Sequence, residues 1–308
     1  EFLDVSVSKD LIHHDALALA GDGTPVVTSH RERKKRICDC KEKGITDCKC
    51  DRYFSQPDCD IGWDSSRDCF YHGYDLYMLV DSQSDLPVFP HFSCASKHDS
   101  HGFLHAFFRM RAFLPEYKVS KIILDSAHDA MPYYQYFKRE NITPFIDLNG
   151  KGGRPPVYKN DFTIDKDGVP ICPAGCRMHR DGIEAAKGRM KFKCPKMCRK
   201  NGCISCTCET PCSDAKYGRT VHLVLKDNPR LFNNPPRSSK EWKLEYNART
   251  SVERSNKREK IDFKLESGRH RSTKMWYCRL YHILMLQHLD AWDMPFESAL
   301  RKLILQAA

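Results

Sequence analysis

The chain of 308 residues has no apolar run approaching the roughly 20 residues that a helical membrane span needs, which predicts a soluble protein without membrane partners. It also lacks a charged-then-apolar leader. It opens on Glu1 rather than Met, so secretion is not expected and the start reads as a truncation or a boundary. Acidic residues are in deficit, 40 Asp and Glu against 50 Lys and Arg, for a net charge of +10. That balance favours a polyanionic partner without requiring one. Apolar residues are not scarce: at 41% hydrophobic the chain can bury one large core or two smaller ones.

Sixteen cysteines are present, and their grouping says more than their number. Thirteen fall between Cys38 and Cys59 or between Cys172 and Cys212, while Cys69, Cys94 and Cys278 stand alone. Without an export signal, clustered thiols read as metal ligands before disulfides. The first cluster follows the basic run RERKKR, residues 31 to 36, which could lie along a nucleic-acid backbone or form a solvated loop. Its pairs Cys38-x-Cys40 and Cys48-x-Cys50 could share one zinc, although C-x-C is less typical than C-x2-C.

Several segments carry strand or helix patterns. ALALAGDGTPVVTS, residues 16 to 29, predicts a buried strand interrupted at Gly21-Asp22-Gly23, so Asp22 is either a turn aspartate or a polar residue set into the core. Residues 68 to 96 predict a hairpin around SQSD, and residues 98 to 117 a helix capped near Asp99, with His98 and Asp99 read as capping residues. VSKIIL, residues 119 to 124, reads as a strand buried on both faces. Asp125 stands at its carboxyl end, where functional groups gather in α/β sheets. The bland role for Asp125 is a helix cap, for which Asp129 is better spaced. ITPFIDLN, RTVHLVLK and the apolar segment MWYCRLYHILMLQHLDAW predict two further strands and a core-packing helix.

The stretch YNARTSVERSNKREK, Tyr246 to Lys260, is rich in helix formers. As one helix it would stack Tyr246, Arg249 and Glu253 on a single face, with Lys260 continuing the row. A phenol, a guanidinium, a carboxylate and an ammonium in one stripe suit a phosphodiester beside a metal ion. They also suit an exposed charged helix.

The spacing Y-x2-R-x3-E-x6-K resembles the signature of the bacterial insertion-sequence DDE transposases. Asp22-Gly23-Thr24, Gly73-Tyr74 with His98-Asp99 before the following helix, and Asp125-Ser126-Ala127 resemble further contexts of that group, over nearly all of residues 16 to 292. The resemblance implies an α/β fold with a ribonuclease H-like mixed sheet flanked by helices. It implies Asp22, Asp125 and Glu253 as catalytic residues holding two Mg²⁺ or Mn²⁺ ions, and Tyr246, Arg249 and Lys260 as DNA contacts. The implied reaction is hydrolysis that frees a transposon end, then attack of the 3′ hydroxyl on target DNA. DNA and a second copy of the chain become the expected partners, and the bacterial cytoplasm and nucleoid the expected location.

Composition changes after Asn149. Residues 151 to 220 hold 15 Lys and Arg against 7 Asp and Glu, a difference of +8, together with eight cysteines. The expected organisation is a first part of the catalytic core over 1–150, a cysteine-rich basic insertion over 151–218, and the rest of the core over 219–308. Cys172, Cys176, Cys194 and Cys198 are the expected ligands of a structural zinc that would fold a piece too polar to hold itself by burial. Two rival readings of the whole are a DNA-holding protein without activity and a plain metal-dependent nuclease on the same core.

Overall fold

In a computed structural model of the chain, residues 1–28, 39–50, 56, 59–149, 157–158, 162–165, 167–200, 203–209 and 211–307 are described. The basic run 31–36 and Cys38 lie outside them. Two compact units are present: Glu1–Leu124 with Ala248–Ala308, and Asp125–Asn247.

The first unit begins with helix α1 (Phe2–Ser8) and strand β1 (Leu17–Val27), followed by β2 (Asp60–Asp64), β3 (Cys69–Asp81), β4 (Pro87–Cys94), helix α2 (Asp99–Phe113) and β5 (Val119–Leu124). The second unit carries α3 (Met131–Arg139), β6 (Thr143–Ile146), β7 (Val157–Tyr158), β8 (Phe162–Ile164), β9 (Pro170–Ile171), β10 (His179–Glu184), β11 (Arg189–Lys193), β12 (Met197–Lys200), β13 (Cys203–Cys206), β14 (Thr220–Val224) and α4 (Lys240–Asn247). The chain then returns to the first unit with α5 (Thr250–Lys257) and α6 (Thr273–Ala307).

The main sheet runs in the order β2-β3-β1-β5-β6, with β4 also paired to β3. β1 is antiparallel to β3 and parallel to β5, so the sheet is mixed, in the ribonuclease H-like order. Its central strands are apolar on both faces because both faces are covered. Leu17, Leu19, Leu76, Leu79, Ile122 and Ile123 are fully buried.

Helix α2 comes close to β3 at one point. A side-chain carbon placed on Gly102 would lie 2.9 Å from Tyr77 Cβ, so a residue without one lets the helix backbone settle on the ring. On α5, Ser251, Val252, Ser255 and Asn256 are buried. On α6, His288 donates or accepts at Ser6 Oγ over 2.8 Å, and its other ring nitrogen meets Pro87 O at 2.9 Å.

Three local expectations change. β1 is not interrupted: its pairing runs without a break through Gly21↔Leu79, Asp22↔Met78 and Gly23↔Tyr77, so Asp22 is a strand residue and not a turn aspartate. Tyr246 to Lys260 is not one helix, because α4 ends at Asn247 and α5 starts at Thr250. A π-helical turn, Arg258–Asp262, then follows α5. β14 does not join the main sheet; it closes a sheet of its own with β10 and β11.

The second unit is built on small sheets, β7-β8-β9, β10-β11-β14 and β12-β13. Its core is Ile164, Val169, Cys172, Met178, Met190, Phe192, Val221, Leu223, Leu231 and Phe232. α3, β6 and α4 belong to this unit, whereas composition set its edges at 150/151 and 218/219. Phe145 of β6 packs against Trp242 of α4 at 6.3 Å, and Arg237 donates to Ile146 O at 2.9 Å and to Tyr134 Oη at 2.9 Å. These contacts tie the flanking segments to the unit more firmly than the Gly, Pro and Lys composition after Asn149 suggests.

Candidate active site

The site is built on two parallel strands. Ala20 of β1 pairs with Ile123 of β5; Asp22 lies two residues beyond the first and Asp125 two beyond the second (22 − 20 and 125 − 123). The side-chain period of a strand is two, so both aspartates take the same side as their paired predecessors. The boundary between the compact units falls at the Leu124–Asp125 peptide bond, so the strand ending one residue earlier positions Asp125.

Asp22, Asp99 and Asp125 each offer a carboxylate oxygen, and these oxygens lie within 4.8 Å of one another. Asp99, read from sequence as a cap, is the first residue of α2, while the cap is His98: its ring accepts from Ser100 N at 3.2 Å. The Asp99 carboxylate is thereby left to face β1 and β3. Two sequence signals bear on it: the pair His98-Asp99 itself, which resembles a context of the transposase group, and the motif Asp22-Gly23. A carbon on Gly23 would lie 2.7 Å from Asp99 Oδ1 and 3.1 Å from Asp75 Oδ1. Glycine follows Asp22 because two carboxylates occupy the space a side chain would need.

Asp75 on β3 carries no motif of its own. It is buried, and its Oδ2 has no hydrogen-bond partner among the described residues. Burial, then the charges of Asp99 and Asp22, push its carboxyl up to about 8. A group of acids that raises a neighbour's pKa in this way has excess negative potential. Hard carboxylate oxygens at this spacing fit a hard divalent cation.

Asp125 Oδ1 accepts from Ala127 N at 3.1 Å and meets His128 Nδ1 at 2.7 Å. The buried His128 ring fixes the orientation of that carboxylate. Asp125 therefore caps the short 3-10 turn Ser126–His128 while sitting in the acidic group. Asp129 does not cap α3, whose N-cap is Ala130 without a side-chain bond. Its carboxylate accepts instead from Arg230 Nε and Nη2, at 2.9 and 2.7 Å, and from Tyr134 Oη at 3.0 Å.

Glu253 lies in the first turn of α5 and is half exposed. Arg249 donates from Nη1 to Asp22 Oδ2 at 3.1 Å and from Nη2 to Glu253 Oε1. A single guanidinium therefore links the β1 aspartate to the helix glutamate. Lys260 donates to Pro25 O at 2.7 Å and pairs with Glu266 at 3.4 Å, which pins the β1 backbone three residues beyond Asp22. Tyr246, on α4 in the other unit, stacks on Trp242 at 4.6 Å. Of the four signature residues, Arg249 is brought to Asp22, Glu253 is linked to Asp22 only through that guanidinium and is not one of the three converging carboxylates, Lys260 is fixed to the Asp22 strand, and Tyr246 is held by the second unit.

For the expected zinc set, Cys172 and Cys194 are buried, Cys176 is partly buried, and the side chain of Cys198 lies outside the described ones. Cys194, Cys206 and Cys212 line one cavity of about 190 Å³. The Cys208 backbone N–H donates to Cys206 Sγ at 3.5 Å. Among the described residues no helix is long and apolar enough to cross a membrane.

No curated protein matches the chain. The transposase DDE domain family matches residues 14–287, a span that contains Asp22, Asp99, Asp125 and Glu253; the chain belongs to that family, which implies DNA phosphoryl transfer with a divalent metal.

Proposed function

We propose that the chain is a transposase of the bacterial insertion-sequence kind, cutting transposon DNA ends and joining them to a target. The observation that carries this reading is the approach of Asp22 on β1, Asp99 at the start of α2 and Asp125 just past the end of β5 to one another, with Glu253 tied to Asp22 through Arg249. Asp22, Asp125 and Glu253 would hold two Mg²⁺ or Mn²⁺ ions, and Asp99 would add a fourth carboxylate. When bound, such ions polarise the phosphoryl oxygens and lower the pKa of an attacking hydroxyl.

The rest of the work falls to the chain itself. His128 holds the Asp125 carboxylate in one orientation. Arg249 keeps Glu253 beside Asp22, and once cations neutralise those carboxylates its guanidinium can turn to a DNA phosphate, which it suits as a planar double donor. Lys260 and Tyr246 are proposed DNA contacts of the same kind. In the present geometry Lys260 first serves to hold Pro25, so its contact requires exchange of that bond.

A homodimer on DNA follows from the need to join two ends in one complex. The cysteine-rich unit is proposed to carry structural zinc. Cys172, Cys176, Cys194 and Cys198 are the set proposed from spacing, and the cavity between Cys194, Cys206 and Cys212 adds two thiols to the choice.

The test uses the full chain, Mg²⁺ and DNA carrying the ends that flank its own gene. Nicked and joined strands that disappear with Glu253→Gln support the proposal. Metal-dependent nicks without joined products would favour a nuclease, and binding without either would favour a DNA-holding protein.

A further inference from the structure

The excursion between β1 and β2 contains a second group of potential metal ligands, independent of the acidic site. Cys40, Cys48 and Cys50 each place a sulfur within 4.8 Å of the other two, and Cys40 Sγ lies 3.6 Å from Cys50 Sγ. Four sulfurs around a zinc ion at about 2.3 Å stand about 3.8 Å apart in a tetrahedron. The trio is therefore close to the separation that the ion imposes.

The local backbone delivers these thiols. Lys43 N donates to Asp39 O at 2.9 Å and Ile45 N to Cys40 O at 2.8 Å, closing one helical turn. Gly44 ends it at φ +70°, a left-handed conformation that glycine adopts at little cost. The chain reverses there and returns Cys48 and Cys50 to Cys40. Apolar burial contributes little to this fold. Six of the twelve residues from 39 to 50 are charged, Ile45 is 48% exposed, and Cys40 is the buried residue of the segment.

We propose that Cys40, Cys48 and Cys50 are three ligands of a structural zinc ion that clamps the turn Asp39–Cys50, with one tetrahedral corner left for a further donor. Thiolate coordination of zinc folds small segments that cannot hold themselves by burial, which is the case for so polar a segment. Cys59 has a different role: its thiol donates to Gln56 O at 3.2 Å and meets His72 Nδ1 at 3.5 Å.

The test needs no variant. The full chain, purified without chelator and loaded with zinc, is alkylated with iodoacetamide before and after chelation, and peptide mass spectrometry reads each cysteine separately. Slow alkylation of Cys40, Cys48 and Cys50 that accelerates at least tenfold after chelation is the expected result. Equal rates before and after, or a Cys40–Cys50 disulfide in unreduced protein, would overturn the proposal. Cys48→Ser supplies a second measure: elemental analysis should show one zinc fewer per chain than the parent, and an unchanged zinc content would also overturn it. Because residues are read individually, zinc held by the second unit does not enter the result.

Discussion

Asp22 and Glu253, on a strand and a helix 231 residues apart (253 − 22), are joined by the single guanidinium of Arg249. The cation lies between two carboxylates that the proposed reaction assigns to metal ions. Arg249 is in that sense a protein-borne substitute for part of the missing positive charge, and it sets the distance over which α5 can stand from β1.

Replacing Arg249 by Gln should therefore have two opposite effects. Mn²⁺ should bind several-fold more tightly, because a competing cation is gone. DNA nicking should fall about ten- to a hundredfold, the equivalent of one lost charge-assisted contact. Calorimetric Mn²⁺ titration beside a nicking assay measures both, and weaker metal binding in the variant would contradict the competition.

Asp99 and His98 are neighbours with different work. Asp99→Asn keeps the shape but removes a carboxylate from the acidic group, and should weaken Mn²⁺ binding about tenfold, or about 1.4 kcal/mol, with little change in thermal stability. His98→Ala should cost about 1 kcal/mol of stability as a lost cap and leave the metal affinity as it was. Parallel melting and titration curves separate the two roles.

Glu259 supplies a pH dependence outside the site. It is fully buried, and burial raises its carboxyl to about 8, while Ser255 and Gln287 at 3.4 Å stabilise it only in part. Between the ordinary carboxylate value of 4.5 and about 8, the folded chain keeps a proton that the unfolded chain gives up. This contribution is full below the lower value and is lost as pH rises through the upper one, at about 1.4 kcal/mol per pH unit. Glu259→Gln should flatten the fall of the urea midpoint between pH 5 and 8, pH values chosen to lie inside the roughly 4.5 to 8 window. An unchanged slope would mean that Glu259 is charged in the fold.

Gly73 stands where β3 meets the end of β1, and a side-chain carbon there would fall 2.0 Å from Val26 O. The obstacle is backbone, which cannot swing aside. Gly73→Ala should destabilise the chain by about 3 kcal/mol or more, measured as a lowered denaturation midpoint, whereas Gly175→Ala meets nothing within 4 Å and is limited to the cost of its positive φ.

Much of the core was legible because its signals are local. The apolar run Val119–Leu124 is β5 to the residue, and Asp125 follows it. The hairpin of β3 and β4 and helix α2 also fall where the sequence pattern sets them. The site was legible in part. Asp22, Asp125 and Glu253 carry sequence motifs and His98-Asp99 a family context read as capping, but Asp99 meets Asp22 and Asp125 through the entry of α2, and Asp75 through the pairing of β1 with β3, which no spacing encodes. The break at Ala248–Arg249 is likewise hidden, since every residue there has acceptable helix propensity and tertiary packing decides. The strands of the second unit are short, two to six residues, too brief for alternation to show.

The central claim is that Asp22 and Asp125 hold a divalent cation together. Equilibrium Mn²⁺ binding to the full chain, compared among the parent, Asp22→Asn and Asp125→Asn, tests it most directly. A loss of tenfold or more in affinity in each variant, with the fold intact by circular dichroism, is the predicted result; affinities equal to the parent in both would contradict it.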